Sequence, residues 1–240
     1  MIRRATALVF TLVFGGAGAL VAQVGHDPAS SPYRDLRYNQ FLQVTAGYIG
    51  GAGGKLGLGP HDGRVFTFRH DFLADRALTI GLGGGYGQLD RSFVDLEATV
   101  EDQRILGPER HRVMFGEGVI QLNATGGKTW HGLAPYVSGA LGLAFAQRVE
   151  ADSSGYKFGT KFYFAPAIGV RAFVTRRLFI RLEARAMFWN LGYPASYQTT
   201  DPDGTLGPLS PILAGQGRKE WAPVPMLHAG LGFAFHRPFF

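Results

Sequence analysis

The sequence predicts an all-β chain, an antiparallel up-and-down transmembrane β-barrel of about eight strands. Three observations carry the prediction. From about residue 38 to the C-terminus, apolar side chains alternate with small or polar ones, the period-two pattern of a strand. The connections between these segments alternate short and long. Charged residues fall on the strand faces opposite the apolar rows.

Composition narrows the class. The 240 residues suit one domain after an export segment. Hydrophobic residues make up 46% and charged residues 18%, yet after residue 23 no apolar run reaches helix-spanning length. Glycine (35 residues) is about twice its usual share, which suits close-packed strands. Cysteine is absent, so disulfides, thiolate metal sites and lipid attachment at an N-terminal Cys are excluded. The net charge of +6 comes from scattered residues, which argues against a nucleic-acid partner. No motif calls for a cofactor or a metal.

Residues 1–22 read as a signal peptide, with basic Arg3 and Arg4, an apolar core over 5–21 and small residues near Ala17, Ala19 and Ala22. Cleavage is expected after Ala19 or Ala22. Residues 23–37 read as an irregular lead-in containing Pro28 and Pro32, and the barrel is expected over 38–240.

Eight strands follow in order. The first (about 38–50) sets Leu42, Val44, Ala46 and Tyr48 against Gln43, Thr45 and Gly47; the second (about 64–73) sets Phe66 and Phe68 against Thr67, Arg69 and Asp71. In the third (about 77–89), Leu78, Ile80, Leu82 and Tyr86 oppose Thr79, Gly81, Gly83, Gly85 and Gly87, and glycine at alternate positions suits a narrow lumen. The fourth (about 112–125) opposes Met114, Ile120 and Leu122 to Glu117, Gln121 and Asn123. The fifth (about 133–146) places Val137, Leu141, Leu143 and Phe145 outward, with Tyr136, Ser138, Ala140 and Gly142 inward. The sixth (about 157–173) opposes Phe162, Phe164, Ile168 and Val170 to Lys161, Tyr163, Gly169 and Arg171. The seventh (about 178–189) opposes Leu178, Ile180, Leu182 and Phe188 to Arg181, Glu183 and Arg185. The eighth (about 221–235) ends with Leu231, Phe233 and Phe235 against His228, Gly230 and Gly232. Pro166 predicts a bulge, and Pro223 and Pro225 an extramembrane strand end.

Connections after the second, fourth and sixth strands are short; the others are long, with 88–111 and 190–220 the largest. Outer-membrane barrels keep short turns in the periplasm and long loops outside, and an even strand count puts both termini in the periplasm.

The charges decide between membrane and soluble barrels. A soluble periplasmic barrel binding an apolar ligand would need its apolar rows inside, burying Arg69, Asp71, Glu117, Lys161, Arg171, Arg181, Glu183 and Arg185 costs several kcal/mol each unless they are paired, and exposing them leaves the glycine faces unexplained. A narrow lumen crossed by ion pairs among these residues accounts for both, with the apolar rows facing lipid.

The chain from about 38 to 240 resembles the outer-membrane β-barrel family, in plan the OmpA- and OmpX-type small barrels. Its last strand, with His228, Gly230, Phe233 and Phe235, is similar to the family's C-terminal insertion signal, and Phe240 supplies a terminal aromatic; residues 236–239 intervene. The resemblance implies recognition by the barrel-assembly machinery, residence in the bacterial outer membrane among lipid and lipopolysaccharide, and a monomer.

Because some small barrels of this kind are lipid-modifying enzymes, the histidines are the candidate catalytic residues. His70 and Asp71 point to opposite faces of one strand. His111 with Glu109 lies in a charged loop, and His131 with Trp130 in a periplasmic turn suits interfacial anchoring. His228 faces the lumen, where it can meet a carboxylate across strands. Gly50 to Lys55 lacks the spacing of a phosphate loop, and Asp201 to Gly204 reads as a turn. The expected function is a structural or surface-interaction role through long extracellular loops, without catalysis. The alternatives are a small-solute channel and a lipid-modifying barrel enzyme.

Overall fold

The computed structural model describes residues 30–95, 98, 103–146, 152, 155–198, 211–213 and 216–236. The fold is that of the unit Tyr33–Phe240. The expected signal peptide, residues 23–29 of the lead-in, Phe240 and the Asp201–Gly204 turn lie outside the described residues.

Ten strands form one antiparallel sheet: β1 (Tyr33–Asp35), β2 (Gln40–Ile49), β3 (His61–Leu73), β4 (Leu78–Val94), β5 (Ile105–Asn123), β6 (Lys128–Trp130), β7 (Leu133–Ala146), β8 (Thr160–Phe173), β9 (Leu178–Gly192) and β10 (Lys219–Phe235). Eight of them close a barrel in the order β2, β3, β4, β5, β7, β8, β9, β10, with β10 pairing back onto β2. β1 and β6 make a short ribbon at one rim, Tyr33 opposite Trp130, and β1 falls inside the segment expected to be an irregular lead-in.

The register fixes the barrel's shape. Hydrogen-bonded partners lead from Leu73 through Thr79, Gln121, Ser138, Ala167, Arg185, Met226 and Ile49 back to β3 at Gly63, ten positions before the start. A shear of ten over eight strands tilts the strands about 40°. Such a barrel has room inside for side chains and no open pore.

Glycine makes that room. A Cβ at Gly85 would overlap the Phe115 ring, one at Gly232 the Phe179 ring, and one at Gly169 the Tyr136 ring. Each glycine therefore lets a neighbouring strand lay a large side chain across the lumen. At the rim with short turns, Thr175 Oγ1 accepts the backbone N–H groups of Arg177 (3.2 Å) and Leu178 (2.9 Å) and tightens the link from β8 to β9.

One strand expectation, the bulge at Pro166, is corrected. Pro166 makes no bulge: β8 pairs with β9 at Phe164↔Phe188 and again at Ala167↔Arg185 in unchanged register, so the ladder skips a step without an extra residue. Pro223 and Pro225 lie within β10 and pair with Phe188 and Ala186 of β9. Alternate residues of a strand turn their backbone groups to opposite neighbours, and Pro225 O accepts from Gly50 N of the β2 side (2.8 Å). The missing proline donors thus face β2, whose ladder ends at Ile49↔Met226.

Most of the long loop expected over 88–111 is also strand. β4 and β5 continue as a hairpin to Val94 and Ile105, with an irregularity between Arg91 and Phe93. Its charged outer part has no lipid to face, so it lacks the apolar alternation of the wall below.

Outward residues form a continuous apolar band, including Val44, Phe66, Leu82, Met114, Ile120, Leu141, Phe162, Ile168, Leu182 and Leu231. A band on every wall far exceeds the apolar patch of a soluble protein, and it encloses a charged interior. The soluble-barrel alternative therefore fails: this is a transmembrane barrel of outer-membrane type.

Candidate functional site

The lumen has three layers. At the short-turn end, Phe41, Phe179 and Ala234 form a small core with Tyr38, Leu73 and Phe173. The Arg171 guanidinium lies 4.4 Å from the centre of the Phe41 ring, so the polar layer begins on an aromatic floor.

The middle layer gathers seven of the eight residues expected to pair. Asp71 meets Arg69 at 2.8 Å, Arg171 at 3.5 Å and Arg181 at 3.7 Å, and accepts from Gln43 at 2.8 Å. Glu183 accepts from Arg181, from Arg185 (2.8 Å), from the Tyr136 hydroxyl (2.7 Å) and meets His228 Nε2 at 2.8 Å. Glu117 holds Arg185 at 2.6 Å and the Tyr163 hydroxyl at 2.8 Å. Four arginines face three carboxylates, all of them nearly inaccessible. Enclosed charges of this kind are tolerated only because each is paired.

Lys161 is the exception. It lies on the lumen side of β8, partly exposed, opposite Ala144, and among the described residues it enters no ion pair. It lies two residues along β8 from Tyr163, toward the long-loop end.

Several members of the network were on predicted inward faces but had no predicted partner, because pairing depends on register. Arg69 donates to Gln121 (2.8 Å), Gln121 to Asn123 (2.8 Å) and Asn123 to Thr79 (3.1 Å). His228 Nδ1 lies 2.7 Å from Thr45 Oγ1, which is 2.5 Å from Thr67 Oγ1. Thr45, His228 and Glu183 therefore follow the order of a hydroxyl–imidazole–carboxylate relay. Thr45 and His228 line, with Arg69, Glu117, Arg181 and Arg185, a cavity of about 10 Å³, room for about one water.

The other histidines considered, His70, His111 and His131, fall elsewhere. His70 Nε2 lies 3.0 Å from Gln40 Oε1, and its ring stacks on Phe235. His111 is 3.7 Å from Glu109, and His131 packs edge-on against Trp130. None of them joins the lumen network.

The long-loop half of the lumen departs from expectation, being apolar. Ile49, Val65, Leu89, Val113, Val119, Met187, Trp189, Leu191, Val224 and Met226 form one core with Leu58, Tyr156, Phe158, Tyr197 and Leu213 from the connections. The connections fold into the mouth. Phe158 packs edge-on against Trp189 (5.3 Å), and Tyr156, Tyr193 and Tyr197 stack in series at 5.8 and 6.2 Å. The Arg91 guanidinium sits 4.9 Å from the Tyr156 ring centre and donates to Leu58 O. Glu220 of β10 accepts from Lys55 N (2.8 Å) and the Tyr193 hydroxyl, which ties two connections together. Burial pushes the Tyr156 and Tyr193 phenols up, Glu220 reinforcing the shift at Tyr193.

The expected insertion signal lies in β10. Phe233 faces out and stacks on Phe235 (6.2 Å), whereas His228 and Gly230 face inward, Gly230 so close to β2 that a Cβ would meet the backbone of Val44 and Thr45.

Fold and lumen define a small outer-membrane-type barrel with a filled interior. No protein-family model and no curated protein matches the chain. Among solved structures it is similar to Neisserial surface protein A (NspA), at 11% identity over 82% of this chain and 97% of that one, TM-score 0.49. It is likewise similar to the outer membrane protein OprG from Pseudomonas aeruginosa (10%, 83% and 97%, TM-score 0.47) and to the outer membrane protein AlkL in lipid bilayers (14%, 91% and 99%, TM-score 0.41).

Proposed function

We propose that this is a non-enzymatic, non-conducting monomer of the bacterial outer membrane. In this reading both termini lie in the periplasm, and the protein acts in envelope structure or surface interaction through its long connections and the β4–β5 hairpin. The supporting observation is the filled lumen: an aromatic floor, an ion-pair layer and an apolar plug lie in series. Phe233 and Phe235 serve barrel assembly. Purified protein in a planar bilayer is expected to show no single-channel steps; reproducible steps would replace this reading with a channel.

The Thr45–His228–Glu183 relay favours an enzyme as the second reading. Its hydroxyl is enclosed and already bonded to Thr67, which leaves no room for an ester. Fatty-acid release from phospholipid vesicles, lost in His228→Ala, would make the enzyme reading the right one.

A further inference from the structure

Where the apolar band ends at the long-loop rim, the wall changes chemistry unevenly. On β2 to β5, the outward row Tyr48, Arg64, Gln88 and Arg112 consists of consecutive hydrogen-bonded partners. One step lower the row reads Ala46, Phe66, Tyr86 and Met114. On β8 to β10 the same rim is aromatic instead, Phe164 stacking on Phe188 (4.8 Å) and meeting Trp221 (5.6 Å). In the row where the apolar band ends, the outward cations are Arg64 and Arg112.

These arginines are available. The carboxylates nearby are engaged, Asp90 with Arg110 at 3.0 Å and Glu109 near His111. Among the described residues neither Arg64 nor Arg112 is tied to an acid. They are two strands apart, about 10 Å between backbones, so two long side chains can close on one phosphate between them, the geometry guanidinium favours.

A furrow runs below them. Gly84 and Gly116 are register partners facing outward, and Gly118 lies beside Leu82. A Cβ at Gly116 would come within 4.0 Å of one backbone atom only, and one at Gly118 would meet nothing within 4 Å. Phe68 on one side and Leu143 with Leu141 on the other stand as walls. A shallow apolar furrow thus lies below the two arginines, with the outward Tyr86 and Met114 between them and it.

We propose that this wall binds a phosphorylated glycolipid of the outer leaflet, of lipid A type, its phosphate between Arg64 and Arg112 and one acyl chain along Gly84, Gly116 and Gly118. The inference rests on the proposed orientation, with the long-loop rim outside.

The test uses full-length protein folded in detergent micelles and native mass spectrometry with bisphosphorylated lipid A, dephosphorylated lipid A and phosphatidylglycerol. Wild type is expected to retain bisphosphorylated lipid A about tenfold better than either competitor. Arg64→Gln/Arg112→Gln removes that preference, Gly116→Leu weakens retention of every lipid by filling the furrow, and Arg176→Gln/Arg177→Gln at the opposite rim changes nothing. Equal retention by wild type and the Arg64/Arg112 variant, or equal retention of phosphatidylglycerol, overturns the site. Lys55→Cys, in a chain without other cysteines, checks the orientation separately: an impermeant maleimide is expected to label it on intact cells. Failure to label overturns the orientation, and the inference with it, even where lipid selectivity persists in micelles.

Discussion

Glu183 and His228 are register partners across the β9–β10 ladder, and their side chains meet inside the barrel at 2.8 Å. The same carboxylate holds Arg181, Arg185 and Tyr136, so one residue anchors donors from β7, β9 and β10.

Glu183→Gln is therefore expected to cost about 3–5 kcal/mol, the penalty for stranding buried charge. Urea unfolding in lipid vesicles measures it. A loss below about 1 kcal/mol would mean that the arginines find other partners.

The lumen glycines set a steric limit. Gly232→Ala drives a methyl into the Phe179 ring and is expected to destabilise by about 1–3 kcal/mol. Removing the ring as well makes room for the methyl, so in a double-mutant cycle Gly232→Ala costs less on a Phe179→Ala background than on wild type. Additive losses would contradict the contact.

Leu82, 72% exposed on β4, stands in the middle of the band. Leu82→Arg is expected to cost about 2–4 kcal/mol in a bilayer, whereas the same change on a water-facing wall is nearly neutral. Folding yields in vesicles and in short-chain detergent distinguish the two environments.

Acid should loosen the projecting hairpin. Burial, with Arg91 nearby, holds His111 below its ordinary pKa, and Glu109 offsets this only in part. Because the folded state binds the proton less readily than the unfolded one, the hairpin is most stable above the unfolded histidine value, about 6.5, and loses stability as pH falls through it. Amide protection factors at Leu89 and Val113, exchange rates corrected for the intrinsic pH dependence, are expected to fall between pH 7 and pH 5, and His111→Gln to flatten that dependence. An unchanged pH profile in the variant would exclude His111 as the cause.

The wall of the barrel was legible because lipid imposes one rule on every strand. Val44, Leu82, Leu141 and Leu231 all alternate with inward residues, and Lys161 faces inward like the other charges although it enters no ion pair among the described residues. Above the bilayer that rule lapses. Arg110 faces water, so nothing in its spacing marked it as strand. In the upper part of β9, Met187 and Trp189 face in while Phe188 faces out, and with both faces apolar the alternation fades. The apolar plug also needs Leu58, Phe158 and Tyr197 from the connections, and their return into the mouth is a tertiary event without local periodicity. The pairing of Glu183 with His228 depends on register between strands far apart in sequence, which no single segment encodes.

The two prolines of β10 carry a consequence for how the barrel shuts. β10 must find β2 at the seam, and glycine-rich strands are prone to slip. If β2 slid two residues toward the loops, it would need an N–H from Pro225 and, with two more, from Pro223, and neither exists. The seam thus has a built-in stop on one side, leaving the register that ends at Met226 as the furthest advance β2 can make.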